Sequence, residues 1–224
     1  MIQLVIFDMA GTTVQDDDFV AECFVAALGK GGVEITAADA RPFMGIPKPL
    51  AIKSMIETKR SAQPATEEEI ELIHQDFIQR MIHLYQTDSR IKEIDGASEL
   101  FESLRQKGIK IGLDTGFSRD IAQTIIERLG WEGKIDASVS SDEVAKGRPA
   151  PDMGLRLMEV LGVSDPKAVV KVGDTASDLG EGQALGTAYN IGVCSGAYSR
   201  AQLEAEPHTH VLDSIRELPD VLGL

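Results

Sequence analysis

Leu4-Val5-Ile6-Phe7-Asp8-Met9-Ala10-Gly11-Thr12-Thr13 is an apolar run that stops on a carboxylate. Four successive apolar residues read as a strand buried on both faces, the pattern of a parallel sheet. Open α/β sheets bind ligands at the carboxyl ends of their strands, so the run delivers Asp8 to the place where chemistry occurs. A carboxylate at that place is a candidate covalent nucleophile.

Beyond residue 96 the pattern alternates. Helices are predicted over Ala97–Lys107, Arg119–Leu129, Met153–Leu161 and Asp178–Leu185. Between and after them come strands Ile109–Asp114, Ala137–Ser140, Ala168–Val172 and Thr187–Val193, then a short His210–Leu212 strand and a last helix. Strand–helix alternation means right-handed crossovers and a doubly wound parallel sheet. Residues 15–90 carry no strand signal. Helices are predicted over Phe19–Gly29, from Thr36, over Pro49–Lys59, and from a cap at Thr66 to about Thr87. The expected organisation is therefore an α/β protein with a Rossmann-like core over 1–14 and 91–224. An all-helical cap over 15–90 is inserted after the first strand and hangs over the carboxyl ends as a lid. Ser61–Ala65 reads as a helix–helix loop.

The 224 residues suffice for one large domain or a core with a smaller attachment, and 43% apolar with 26% charged residues is an ordinary globular balance. A net charge of −14 argues against non-specific nucleic-acid or anionic-membrane binding, which needs a basic face. An anionic substrate stays possible, because local cations and a metal can invert the field at one site. No signal peptide is read at Met1, no apolar run reaches the ~20 residues of a membrane span, and a cytoplasmic location is expected. Cys23 and Cys194 are expected to be buried small hydrophobes. His74, His83, His208 and His210 are read as non-ligands, and Trp131 as a packing residue.

Four loops, each after a predicted strand, hold polar residues that would converge. The first carries Asp8 and Thr12. The second is Asp114-Thr115-Gly116, with a hydroxyl and backbone N–H groups. The third, Lys146-Gly147-Arg148-Pro149, offers cations. The fourth, Gly173-Asp174-Thr175-Ala176-Ser177-Asp178, spaces two carboxylates at a helix mouth. Asp8, Asp174 and Asp178 suit Mg²⁺, which binds through few carboxylates and keeps waters. Thr115 with Arg148 or Lys146 would hold phosphoryl oxygens as charge develops. Thr12 and Gly116 are expected to face the substrate. Gly45 reads as a turn needing positive φ, or as a point of close substrate approach.

Asp8-x-x-Gly-Thr, Thr115, Arg148 in Gly-Arg-Pro, and Gly173-Asp174-x-x-x-Asp178 resemble the four motifs of the haloacid dehalogenase superfamily, with 15–90 resembling its helical cap. The resemblance implies an aspartyl phosphate on Asp8, and Mg²⁺ held by Asp8, Asp174, the Ala10 carbonyl and Asp178. Phosphatases of that superfamily usually carry a second Asp two residues after the nucleophile, to protonate the leaving group. Here that position is Ala10. A carbon leaving group needs no such acid if a lysine first turns a neighbouring aldehyde into an imine. Met44-Gly45-x-x-Lys48 resembles the corresponding segment of the phosphonatase (phosphonoacetaldehyde hydrolase) family, in which this lysine forms the Schiff base. Lys48 is placed at the end of the second cap helix. The resemblance is imperfect: that family's His, Tyr and Cys are replaced by Ala51, Phe117 and Asp18. A Schiff-base lysine must be neutral, and Asp16, Asp17 and Asp18 would hold its pKa up if they lie beside it.

The function expected is a Mg²⁺-dependent hydrolase of a small phosphonate. A phosphate-monoester phosphatase is the alternative, and a silent metabolite-binding protein a third reading. Phe19–Gly29 either pairs with its twin in a homodimer or packs within the cap.

Overall fold

The computed structural model describes residues 1–60 and 63–224; Ser61 and Ala62, the start of the expected 61–65 loop, lie outside the described residues. Six strands form one sheet: β1 (Leu4–Asp8), β2 (Lys110–Thr115), β3 (Ala137–Ser140), β4 (Val169–Gly173), β5 (Tyr189–Val193) and β6 (His210–Leu212). Every pairing is parallel and the order is β3-β2-β1-β4-β5-β6. β1 is thus central, and the order reverses between β1 and β4, where doubly wound sheets open a crevice for ligands. Successive side chains of a strand point to opposite faces, and both faces of β1 are buried. Leu4 and Ile6 pack with Met153, Leu157 and Leu185, whereas Val5 and Phe7 join the larger core that holds Phe101 and Trp131. Trp131 is fully buried, edge-on to Phe101, with its indole N–H donating to Glu93 at 3.1 Å.

Four helices follow β1: α1 (Phe19–Lys30), α2 (Ala37–Ala40), α3 (Lys48–Lys59) and α4 (Glu67–Thr87). Thr36 caps α2 in a reciprocal box with Asp39, and Thr66 caps α4 through the Glu69 N–H. α1 buries Phe24 against Phe77 of α4, with rings stacked at 4.4 Å, so its apolar face packs within the chain. The remaining helices are α5 (Ala97–Gln106), α6 (Arg119–Arg128), α7 (Asp152–Leu161), α8 (Ala176–Leu185), α9 (Arg200–Glu204) and α10 (Leu218–Leu222). The ends of α5 to α8 fall within one or two residues of the expected ones, α10 is the expected last helix, and α9 is an additional short helix that the sequence pattern did not predict. Lys48 is the main relocation: it does not end the second helix but begins the third, where Pro49 fits the first turn because its missing N–H has no partner there. Cys23 is buried as expected, but Cys194 is only partly so. Among the described residues no helix is long and apolar enough to cross a membrane.

Candidate active site

Asp8 ends β1 beside Asp114 on β2, and is 5% exposed. Its Oδ1 accepts from Arg148 Nη2 at 2.6 Å, and Arg148 Nη1 donates to Asp178. Arg148 is buried while Lys146 is exposed, so of the two cations in that loop it is Arg148 that reaches the cleft. Asp178 has a second task. Its Oδ2 accepts from the backbone N–H and the hydroxyl of Thr175, at 3.1 and 2.5 Å, closing the capping box of α8. One residue thus fixes the helix mouth and holds the guanidinium.

Beneath these groups lies an ion cluster that the sequence reading did not contain. Lys171, fully buried on β4, pairs with Asp114, with Glu181 of α8 at 2.9 Å and with Asp178 at 3.5 Å. Arg148 and Lys171 are therefore threaded along a continuous line of carboxyl groups from Asp8 to Glu181, of which Glu181 is pushed up to about 8, chiefly by burial. A lysine inside Val169-Val170-Lys171-Val172 was the available signal, since a charge in a doubly buried strand requires a partner.

Asp174 is held differently. Thr12 Oγ1 donates to its Oδ1 at 3.2 Å and the Ala197 N–H to its Oδ2 at 2.7 Å, and no cation pairs with it among the described residues. Burial first, then the charges of Asp8 and Asp178, raise its pKa well above the carboxylate range. Asp8 is pushed up to about 6, again chiefly by burial, with Arg148 opposing. Thr12, expected to face the substrate, turns its hydroxyl onto Asp174 instead.

The residues present fit a hard divalent cation. Asp8, Asp114 and Asp178 bring carboxylate oxygens within 4.8 Å of one another. Arg148 and Lys171 already lie among those three, however, whereas Asp174 faces Asp8 and Asp178 with its charge uncompensated. Asp174, with Asp8 beside it and no cation of its own, is where a metal would supply positive charge, and Ala10, two residues after Asp8, lines the same cleft.

That cleft is a cavity of about 230 Å³, bounded by Asp8, Ala10, Asp174, Arg148, Thr115 and Gly116 from the strand ends and the loops after them and by Asp16, Asp18, Arg41, Gly45 and Lys48 from the helical segment. Thr115 Oγ1 accepts from the Phe117 N–H at 3.1 Å, which keeps the hydroxyl at the strand end. The segment Gly45–Pro47 seats directly on the core. Gly45 sits at φ +79°, and a methyl group there would collide with the Thr175 side chain; at Gly116 it would come within 2.9 Å of the Ile46 carbonyl oxygen.

Lys48 is 4% exposed, with Nζ 5.0 Å from the centre of the Phe117 ring and 5.6 Å from that of Phe24. Burial, followed by the positive charge of Arg148, lowers its pKa from 10.5 to about 8, against the pull of Asp8, Asp16 and Asp174. Of the acidic trio expected beside it, Asp16 acts on Lys48, Asp17 is exposed, and Asp18 is engaged by Arg41 at 3.0 Å. The opposing acids exist, and desolvation outweighs them.

A family model described as haloacid dehalogenase-like hydrolase matches residues 2–186. Phosphonoacetaldehyde hydrolases from Bacillus cereus are similar along nearly the whole chain: one, from strain B4264, is 35% identical over 99% of this chain and 86% of its own length. Another, from strain ATCC 14579, is 37% identical over 88% and 77%. Among solved structures, a phosphonoacetaldehyde hydrolase-like protein from Oleispira antarctica is 26% identical with a TM-score of 0.83, covering 99% of this chain and 91% of its own. A predicted phosphoglycolate phosphatase from Haemophilus somnus shares the fold, with a TM-score of 0.83 at 16% identity, covering 99% and 98%. On the strength of that match and these relatives, the chain belongs to the haloacid dehalogenase-like hydrolases, and is an enzyme of that family.

Proposed function

We propose that this hydrolase cleaves the carbon–phosphorus bond of phosphonoacetaldehyde or a closely similar small phosphonate. The observation that carries the proposal is Lys48: an amine buried in the cavity that holds Asp8, with its pKa lowered to about 8, opposite an alanine where a phosphatase would need an acid. The similarity to the Bacillus cereus enzymes supports the same substrate class.

In this reading the helical segment 15–90 is a cap that closes the cavity and delivers Lys48. The neutral amine condenses with the substrate aldehyde to give a protonated imine, an electron sink next to the carbon that bears phosphorus. Asp8 attacks phosphorus in line, the P–C bonding pair moves to carbon, and the imine becomes an enamine. Protonation at carbon and hydrolysis of the imine release acetaldehyde, and water cleaves the aspartyl phosphate. Arg148, already bonded to Asp8, aims the carboxylate, while Thr115 and the Gly116 N–H hold phosphoryl oxygens. Mg²⁺, held by Asp8, Asp174 and the Ala10 carbonyl with Asp178 behind, would supply the positive charge that lets an anionic nucleophile approach an anionic phosphoryl group. Ala10 suits this route because an enamine carbon, unlike an alkoxide, needs no proton at the moment of P–C cleavage.

The test is phosphate release from phosphonoacetaldehyde compared with a panel of phosphate monoesters, together with borohydride reduction in the presence of the aldehyde. The expected result is preferential turnover of the phosphonate and a substrate-dependent mass increase on the peptide that contains Lys48. Turnover of monoesters alone, with no trapped adduct, refutes the proposal and leaves a phosphatase.

A further inference from the structure

Forming a protonated imine from an amine and an aldehyde consumes one proton, so the site needs an acid that can touch the carbonyl oxygen. Ala51 and Phe117 carry no titratable proton. Asp18 is held by Arg41 at 3.0 Å at the cavity mouth. Asp8 is bonded to Arg148, and Asp174 accepts from Thr12 and Ala197. Asp16 is the remaining carboxyl on the cavity wall, half-buried and outside the phosphoryl cluster. Its Oδ1 accepts from the Val20 N–H at 3.2 Å in the first turn of α1. The Phe19 N–H also acts on this carboxyl, and no cation forms a salt bridge with Asp16 among the described residues. Burial raises its pKa above the ordinary 3.8, while the charges of Lys48 and Asp18 act on it in opposite directions. Tyr85 and Cys23, whose own pKa values are raised in part by Asp16, are the other titratable groups near it.

We propose that Asp16 is the acid–base residue that carries the proton through imine formation at Lys48. This rests on the imine reading above. The Nζ lone pair forms the C–N bond while the carbonyl oxygen takes the proton of the Asp16 carboxyl. The carboxylate then removes a proton from the new ammonium, giving a neutral carbinolamine and restoring the carboxyl. The carboxyl protonates the hydroxyl group, the nitrogen lone pair expels water as the C–O bond breaks, and the product is an iminium facing an Asp16 carboxylate. A helix cap accounts for one oxygen of Asp16. It does not account for a carboxyl placed on the cavity wall with no cation paired to it among the described residues.

The measurement is the rate of borohydride trapping on Lys48 with phosphonoacetaldehyde, read by mass spectrometry. Asp16→Asn keeps an oxygen for the Val20 N–H and should retain the fold, but it should trap about 10²-fold more slowly, within the usual contribution of general acid–base catalysis. Asp16→Ala should be equally slow, and formate should accelerate it saturably, an effect that lost capping alone would not produce. Asp17→Asn, at the exposed neighbour, controls for loss of one negative charge and should trap like wild type. Wild-type rates in Asp16→Asn, or no response of Asp16→Ala to formate, overturn the proposal. Absence of trapping in the wild type itself would instead refute the imine reading, and this role with it.

Discussion

Replacing Lys48 by Met should abolish imine chemistry and stabilise the fold, and the size of the second effect follows from the structure. Lys48 is 4% exposed and its pKa is lowered from 10.5 to about 8. At ~1.4 kcal/mol for each pH unit, folding with the charged amine loses about 3 kcal/mol relative to a lysine with no shift. Met keeps the unbranched stem against Phe24 and Phe117 and adds a sulfur–aromatic contact. Lost cation–π attraction removes about 1 kcal/mol of the gain, so a net of about 2 kcal/mol is expected at pH 7. The sign with pH is fixed by linkage. Below pH 8 the amine is charged in both folded and unfolded chains and the penalty is complete. Between pH 8 and 10.5 the unfolded chain binds the additional proton, so wild-type stability rises. The advantage of Lys48→Met should therefore shrink through that window and vanish above it. Urea unfolding at pH 7 and pH 10.5 tests this: at pH 7 the midpoint should rise by about 1 M, for a urea m-value of about 2 kcal/mol per M. No gain at pH 7, or an equal gain at both pH values, would refute the argument that burial sets the state of this amine.

Other outcomes follow from the same geometry. The rate of borohydride trapping should rise with pH and level off above about 8, because the neutral amine is the attacking form; a plateau only above pH 10 would contradict the burial argument. Asp8→Asn should reduce phosphate release to background. Chelation by EDTA should do the same and added Mg²⁺ should restore it, whereas activity that persists in chelator would count against a metal at Asp8 and Asp174. Lys171→Met leaves Asp114 and Glu181 buried without their cation and should destabilise the fold by about 3–5 kcal/mol. Adding Glu181→Gln should recover part of that loss, and a single-variant loss below about 1 kcal/mol in urea unfolding would remove the cluster from the stability argument. Gly45→Ala forces a side chain into positive φ and into Thr175. A strain of about 1–2 kcal/mol at the seam between helices and sheet should lower kcat/KM roughly tenfold; unchanged kinetics would separate that seam from catalysis.

The primary sequence was sufficient for the alternation of strands and helices, for the position of Asp8 at a strand end, and for the carboxylate pair at 174 and 178. These depend on local physics: apolar runs, period-two and helical spacing, and caps such as Thr66 and Thr175. Charge placement was not local. Thr12 and Asp174 are 162 residues apart, and only the folded sheet joins them. The order of strands decides that Lys171 meets Asp114, so that two of the site's cations are already engaged while Asp174 is not. For Lys48, sequence supplied the residue and the acids that would oppose its deprotonation, but the outcome depended on desolvation. That quantity is set by which atoms surround the amine, here Phe24 from one helix and Phe117 from the loop after β2, and no stretch of chain contains that information by itself.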